Sequence, residues 1–286
     1  MKEKNPKNNK NNELYEDIYK EQFSFGKNWS DFLKSLDKKK VEVAKKSLLN
    51  FTDLKSFKNK TFLDIGSGSG LFSLSAILLG AKKVTSVDVD ENSVLCTKYL
   101  REKYDIDSKK WEIKKGSALD KNFIGSLDEA DILYSWGVLH HTGNMWQALE
   151  NVSNIVKKNG IFYLAIYNNF EGLPFSSKTW VKLKRFYSKR GKLSRKIIDS
   201  CYIAYYIAGL LASGKNPYKY IKNYKRDSLR GMSFYYDAID WLGGYPYEYA
   251  SVNEIKKFYW EKGFKLKKTR KTKREGCNEF LFMKNG

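Results

Sequence analysis

The stretch TFLDIGSGSG at residues 61–70 constrains the fold more than any other part of this sequence. The apolar run Thr61–Ile65 leads directly into three glycines, and residues 71–81 then show the apolar spacing of a helix that stops at Gly80. Glycines permit a sharp turn and a close approach of the backbone to a ligand. The pattern therefore predicts a strand, a ligand-binding loop and a helix in succession.

An acidic residue follows at the spacing that such a loop requires. Asp88 comes 18 residues after Gly70, at the end of a second strand-like run. A carboxylate at that point can accept hydrogen bonds from ribose hydroxyls. The dinucleotide fingerprint Gly-x-Gly-x-x-Gly is not matched, because Leu71 stands where its last glycine would be. The segment thus indicates a nucleoside-containing ligand and weakens the interpretation as a dinucleotide site, with an unliganded turn as the alternative.

Short apolar runs alternate with helical patterns as far as Asn168, which predicts an α/β fold with a parallel sheet. The expected strands are 61–65, 83–89, 111–115, 132–135 and 161–166, the expected helices are 71–81, 91–104, 145–157 and 251–263, and a hairpin is expected from 264–273 and 277–283.

The domain organisation predicted from these patterns has three parts. Residues 1–58 form a disordered tail and then a helical segment with Phe23, Phe25 and Trp29, which is either an N-terminal lid or packs in the ordinary way against the sheet. Residues 59–170 and 251–286 form the core. Residues 171–250 form a basic, Tyr-rich helical insertion, because a loop of that length is too long for a compact domain.

The net charge of +21 over 286 residues is unevenly distributed. Residues 61–170 sum to −1, whereas residues 171–230 alone carry +12. A basic segment of this kind favours an anionic acceptor or an anionic membrane surface first and nucleic acid second. The alternative is that the charge reflects compositional bias and has no function. Three widely spaced cysteines and an N-terminus without an apolar leader predict a cytoplasmic protein.

The chain resembles class I S-adenosylmethionine-dependent methyltransferases, in particular their small-molecule branch, which includes quinone-biosynthesis enzymes. The resemblance lies in LDIGSGSG at 63–70, Asp88, GSALD at 116–120 and YSWGVLHHTGNMW at 134–146. It implies a Rossmann-like, mostly parallel seven-stranded sheet with an antiparallel final hairpin strand. It also implies S-adenosylmethionine as the cofactor.

The same resemblance assigns the cofactor contacts. Gly66, Gly68 and Gly70 would approach the methionyl part, Asp64 would hold its amino group and Asp88 its ribose. The family often has an acid after the third strand for the adenine, where this chain departs from the pattern. The remaining predicted cofactor contacts are Val89, Ser117, Ala118 and Trp136.

The only two histidines of the chain, His140 and His141, are adjacent and follow the end of a predicted strand. A hydroxyl acceptor must lose its proton as it attacks, and imidazole can take that proton near neutral pH. We therefore predict that one of the two is a general base, against the alternative that they only cap a helix or contact the cofactor. Adjacent histidines chelate poorly, and no metal is expected.

The insertion is expected to shape the acceptor site, with Arg230, Tyr235, Tyr236 and Trp241 as candidate contacts. Its apolar segment CYIAYYIAGLLA at 201–212 could be a buried helix or could rest on anionic lipid, and burial is the preferred interpretation.

These observations predict O-methylation of a small or lipid-linked, anionic acceptor, such as a glycan, a quinone-like precursor or a secondary-metabolite precursor. RNA methylation is the alternative within the class, and a non-catalytic cofactor-binding subunit is the alternative outside it. The sequence makes no prediction of the oligomeric state.

Overall fold

The computed structural model describes residues 36–172, 175–227, 234–273 and 275–286. The predicted lid residues Phe23, Phe25 and Trp29 lie outside the described residues. Along the chain the elements are α1 (Lys38–Thr52), β1 (Thr61–Ile65), α2 (Leu71–Leu78), β2 (Lys83–Asp88), α3 (Glu91–Lys103), β3 (Trp111–Lys115), α4 (Lys121–Gly125), β4 (Ala130–Trp136), a 3-10 turn (Leu139–His141), α5 (Met145–Ser153), β5 (Val156–Tyr167), α6 (Ser177–Ser188), α7 (Lys192–Ala212), α8 (Pro217–Asp227), α9 (Phe234–Gly243), α10 (Val252–Glu261), β6 (Phe264–Arg270) and β7 (Cys277–Lys284).

The seven strands form one sheet in the order β3-β2-β1-β4-β5-β7-β6. Strands β1 to β5 run parallel, and β7 pairs antiparallel with both β5 and β6. The predicted fold class is thereby confirmed, including the antiparallel final hairpin. The chain order reverses between β1 and β4, and ligands of open α/β sheets bind at the carboxyl ends of the strands at such a point.

Both faces of the sheet are covered, as a mostly parallel sheet requires. Helices α1 to α3 pack on one face around Phe51, Phe62 and Trp111, all of which are buried. Helices α5 and α10 pack on the other face, where Tyr259 contacts the rings of Phe162 and Phe282. The central strands are buried on both sides, which is why they read as short apolar runs.

The helix predicted at 145–157 is wrong at its end. Helix α5 stops at Ser153, and Val156 begins the last parallel strand by pairing with Ala130. The apolar spacing of this region continues from the helix into the strand, so the boundary was not visible in the periodicity.

The predicted insertion contains α6 to α9, and α9 packs against α6 and α7. The preference for a buried helix at 201–212 is wrong, because Asp199 and Leu210 are the only buried residues of α7. Among the described residues no single helix is long and apolar enough to cross a membrane, although α7 and Pro217–Tyr224, bent by 119°, meet that criterion as a pair by length and composition.

Candidate active site

The glycine loop between β1 and α2 adopts a backbone that side chains disfavour. Gly66, Gly68 and Gly70 have φ angles of +81°, +53° and +79°. A Cβ on Gly66 would lie 2.4 Å from the methyl carbons of Val138, which follows β4. The glycines therefore serve both the turn and the close contact between the ends of β1 and β4.

Asp88, at the end of β2, is tied to this loop. Its carboxylate accepts hydrogen bonds from the backbone N–H of Gly68 at 2.8 Å and from that of Asp90 at 2.9 Å. Burial raises the pKa of Asp88 to about 6, and the two backbone donors oppose that rise. A partner with hydroxyl donors would stabilise the ionised carboxylate here.

Asp64 is the second buried carboxylate at the same end of the sheet. It is 1% exposed and accepts a hydrogen bond of 2.6 Å from the hydroxyl of Ser73 on α2. Burial is the main cause that raises its pKa to about 7, and the charge of Asp88 adds to the rise. Two buried carboxylates with raised pKa values are suited to a ligand that brings a cation and hydroxyl groups.

A cavity of about 1530 Å³ extends from the glycine loop to the helices of the insertion. The predicted site residues that line it are Asp64, Gly66, Gly68, Asp88, Val89, Ser117, Ala118, Trp136, His141 and Trp241.

The remaining predicted residues have other positions. Gly70 and His140 lie beside the cavity without lining it. Tyr235 is 47% exposed and does not line the cavity either. Arg230 lies outside the described residues, and of Tyr236 only the backbone, in α9, is described. The predicted contacts from the glycine loop and β2 thus come together, whereas the predicted acceptor contacts are reduced to Trp241.

The two histidines occupy the 3-10 turn after β4 and face different surroundings. His141 lines the cavity, and its Nδ1 lies 2.6 Å from the carbonyl oxygen of Pro246. A carbonyl can only accept, so Nδ1 carries the proton and Nε2 of the neutral ring keeps its lone pair. His140 is fully buried, and its ring centre lies 3.8 Å from that of Tyr167, with the two planes tilted by 35°. Its Nδ1 accepts the N–H of Tyr167 at 3.2 Å. Of the two histidines, His141 is therefore the one that lines the cavity and can act there as a base.

Residues 244–250, here called the strap, hold the histidine turn in place. Besides the bond from Pro246 to His141, the N–H of Glu248 donates to the carbonyl of His140 at 2.9 Å. The carboxylate of Glu248 accepts the N–H of Met145 at 3.0 Å, at the start of α5. A carboxylate at this end of a helix is favourable. The GGYPYEY pattern gave no prediction of this role.

Lys184 of α6 is a buried cation that the sequence did not reveal. Its Nζ donates to the carbonyl of Trp241 and lies 4.2 Å from the ring centre of Trp241 and 5.0 Å from that of Tyr247. Burial lowers the pKa of Lys184 to about 7, which the charge of Asp240 opposes. The side chain supports the wall residue Trp241 from behind. In sequence it is one of many basic residues of the insertion, so no signal distinguished it.

The acceptor end of the cavity is aromatic. The described rings that line it beyond His141 are Tyr167, Phe170, Phe175, Trp180, Tyr202, Tyr205, Tyr206, Tyr220, Tyr224, Phe234 and Trp241. Six charged side chains of the described residues also line this end of the cavity. Four are acidic, Asp237, Asp240, Glu275 and Glu279, and two are basic, Lys215 and Arg270. The described residues contain no group of three or more His, Cys, Asp or Glu that could hold a metal ion.

Comparison with known proteins agrees with this geometry. Residues 63–162, from β1 to β5, match the family described as "Methyltransferase domain". The match includes the glycine loop, Asp88 and the histidine pair, and it excludes the insertion and the strap.

The curated relatives share a short part of the chain. The ribosomal protein L11 methyltransferase of Psychrobacter sp. (strain PRwf-1) is 40% identical over 76 residues, which are 26% of this chain and 24% of that protein. The enzyme of the same name from Acinetobacter baumannii (strain SDF) is 32% identical over 117 residues, 38% of this chain and 34% of that protein. The chain thus spans only about a quarter to a third of these relatives.

Solved structures share the fold at low identity. PKMT2 from Rickettsia typhi, in complex with AdoHcy, matches with a TM-score of 0.56 and 14% identity over 85% of this chain and 52% of that one. Magnesium protoporphyrin IX methyltransferase from Synechocystis PCC 6803, with bound SAH, matches with a TM-score of 0.50 and 13% identity over 86% of this chain and 82% of that one.

The family match identifies residues 63–162 as a methyltransferase domain, and the sheet that contains them is Rossmann-like. The prediction of a class I S-adenosylmethionine-dependent methyltransferase is confirmed at the level of this domain. The small-molecule, quinone-biosynthesis-like branch stays a prediction.

Proposed function

We propose that this chain transfers the methyl group of S-adenosylmethionine to an oxygen atom of a small or lipid-linked acceptor, with His141 as the general base. The observation that carries the proposal is the position of His141. Its neutral ring keeps a lone pair on Nε2 and lines the same cavity as Asp64 and Asp88.

The residues at the glycine loop fit this cofactor. Gly66 and Gly68 line the cavity with backbone atoms alone, at positive φ angles that disfavour a side chain. Asp88 would accept the ribose hydroxyls and Asp64 would hold the amino group, and each contact compensates the burial of the carboxylate. When bound, S-adenosylmethionine supplies an electrophilic methyl group.

The acceptor then needs orientation and the removal of one proton. His141 Nε2 takes the proton of the acceptor hydroxyl as that oxygen becomes methylated. The carbonyl of Pro246, 2.6 Å from Nδ1, fixes the ring and stabilises the positive charge that the ring gains. The aromatic wall keeps water from the reacting oxygen and holds the acceptor in line, which supplies most of the catalysis in a direct displacement.

The composition of the wall supports an acceptor with an apolar ring. Of the predicted classes, a quinone-like precursor matches an end lined by Tyr202, Tyr206 and Trp241 better than a glycan does. The anionic character of the acceptor stays a prediction that depends on Arg230 and on exposed lysines, since four carboxylates and two cations line the described acceptor end. A lipid-linked acceptor would bring the enzyme into peripheral contact with a membrane, which is part of the proposal.

An acceptor panel tests this proposal. Labelled S-adenosylmethionine is incubated with the protein and a hydroxylated naphthoquinone, a glycan, ribosomal protein L11 or RNA. Methyl transfer to the hydroxyl oxygen of the naphthoquinone, lost in His141→Asn, is the expected result. Transfer to RNA or protein instead, or a rate unchanged in His141→Asn, would contradict it. RNA methylation and the non-catalytic subunit stay the alternative predictions.

A further inference from the structure

We infer that the outer face of α7 docks on the surface of an anionic lipid bilayer and presents the mouth of the acceptor cavity to it. This inference rests on the proposed function, because it names the surface from which a lipid-linked acceptor would reach that cavity. The apolar face of α7 is defined here by its outward residues, Leu193, Ile197, Cys201, Ala204, Ala208 and Leu211.

The apolar face is continuous and exposed. Its residues follow one another at intervals of three or four, so they lie on one side of the helix. Leu193 is 76% exposed, Ile197 59% and Leu211 61%. No charged residue occurs between Asp199 and Lys215. The opposite side of the helix carries Leu210, which is buried against the protein. Such a row of exposed apolar residues, three of them large, marks an interaction surface.

The charge around this face selects the partner. Residues 175–224 contain one acidic side chain, Asp199, which is buried and accepts a hydrogen bond from the hydroxyl of Tyr187 at 2.8 Å. Exposed lysines stand at both ends of α7 and along α8, namely Lys192, Lys196, Lys215, Lys219 and Lys222. An apolar helix face with basic flanks is suited to lie in the headgroup region of an anionic membrane.

A second copy of this chain is a poorer occupant than a membrane. Because lysines flank the apolar face at both ends, pairing two such helices would bring like charges together in the parallel and in the antiparallel arrangement. An anionic bilayer instead neutralises both ends at once.

The docking face is continuous with the acceptor cavity. Tyr205, Gly209, Ser213 and Lys215 are exposed on or just after α7, and the same four residues line the cavity. A lipid-linked acceptor could therefore pass from the headgroup region to the aromatic wall along one helix. Its apolar tail would not have to cross bulk water, where exposure of its methylene groups costs free energy.

Vesicle sedimentation with the full chain tests the surface. The protein should sediment with vesicles of phosphatidylcholine and phosphatidylglycerol, and binding should weaken with salt and be slight with phosphatidylcholine alone. Ile197→Glu with Leu211→Glu should lower the partition coefficient at least about ten-fold. The matched pair Leu95→Glu with Trp260→Glu, also exposed and apolar, should leave it unchanged.

Cofactor titration on the same preparations separates this inference from the proposed function. Loss of vesicle binding in Ile197→Glu/Leu211→Glu, with S-adenosylmethionine still bound, supports the docking face. If the wild-type protein binds cofactor but sediments with neither kind of vesicle, or forms a dimer that these substitutions break, the inference is overturned and the proposed function stands. Vesicle binding without any cofactor binding would contradict the proposed function instead.

Discussion

The Nδ1 atom of His141 lies 2.6 Å from the carbonyl oxygen of Pro246, a residue 105 positions further along the chain. This contact assigns the ring proton to Nδ1 and leaves Nε2 as an acceptor. The adjacent His140 has the reverse arrangement, because its Nδ1 accepts the N–H of Tyr167. Two neighbouring histidines of one turn therefore differ in their capacity to act as a base toward the cavity.

His141→Asn should lower kcat by roughly 10²–10⁴-fold, the usual contribution of a general base. The asparagine amide can still donate to the carbonyl of Pro246, so the turn should stay intact while the base is lost. Cofactor affinity, measured by calorimetry, should remain unchanged. His140→Asn is the matched control, because its side chain can accept the N–H of Tyr167. A greater loss of kcat in His140→Asn than in His141→Asn would show that His141 is not the base.

Glu248→Ala should lower the free energy of unfolding by about 1–2 kcal/mol, because the N–H of Met145 loses its acceptor at the start of α5. Chemical denaturation measures this loss. Glu261→Ala is the control, since Glu261 is an exposed residue in a 3.9 Å ion pair with Lys257 and should change stability by less than about 0.5 kcal/mol. Equal effects of the two substitutions would show that the strap does not stabilise the histidine turn.

The stability of the protein without cofactor should fall as the pH rises from about 4 to about 7. Burial raises the pKa of Asp64 to about 7, so in this window the folded state binds more protons than the unfolded state. The change for this one group is on the order of 4 kcal/mol. Thermal unfolding over this pH range measures it. Asp64→Asn should reduce the dependence to the part that Asp88 contributes, because burial also raises the pKa of Asp88 to about 6. A dependence that is just as steep in Asp64→Asn would show that another group is responsible.

Gly66→Ala should destabilise the fold by more than about 2 kcal/mol. The new Cβ would lie 2.4 Å from the methyl carbons of Val138, at a φ of +81° that disfavours a side chain. Gly125→Ala is the matched control, because nothing lies within 4 Å of its Cβ position and it ends α4. Denaturant titration of both variants should show a loss of stability in Gly66→Ala only. Similar curves for the two variants would contradict the close contact between the ends of β1 and β4.

The cofactor half of the site was predictable because its signals are local. A strand, its glycine loop and the acid at the end of the next strand lie within 28 residues, and parallel strands bring their carboxyl ends to one edge. The parallel part of the sheet followed from the alternation of strands and helices. The number of strands and the antiparallel final strand followed from the family resemblance, and the strand order was not predicted.

The acceptor half was not predictable in this way, because its contacts join distant segments. The choice between His140 and His141 depends on Pro246 and Tyr167, and the support of Trp241 depends on Lys184. The apolar stretch of α7 has the composition of a buried helix, yet it packs along one side only. Composition measures how apolar a helix is, and tertiary packing decides which side finds a partner.

Titration calorimetry with S-adenosylmethionine measures whether this chain binds the cofactor that the glycine loop and Asp88 are proposed to hold. We expect one bound cofactor per chain in the micromolar range. Asp88→Asn should weaken it at least about ten-fold, because a charged acceptor for the ribose hydroxyls is lost. Asp128→Asn, an exposed carboxylate paired with Lys83, should leave it unchanged. A wild-type protein that binds neither S-adenosylmethionine nor S-adenosylhomocysteine would contradict the proposed function.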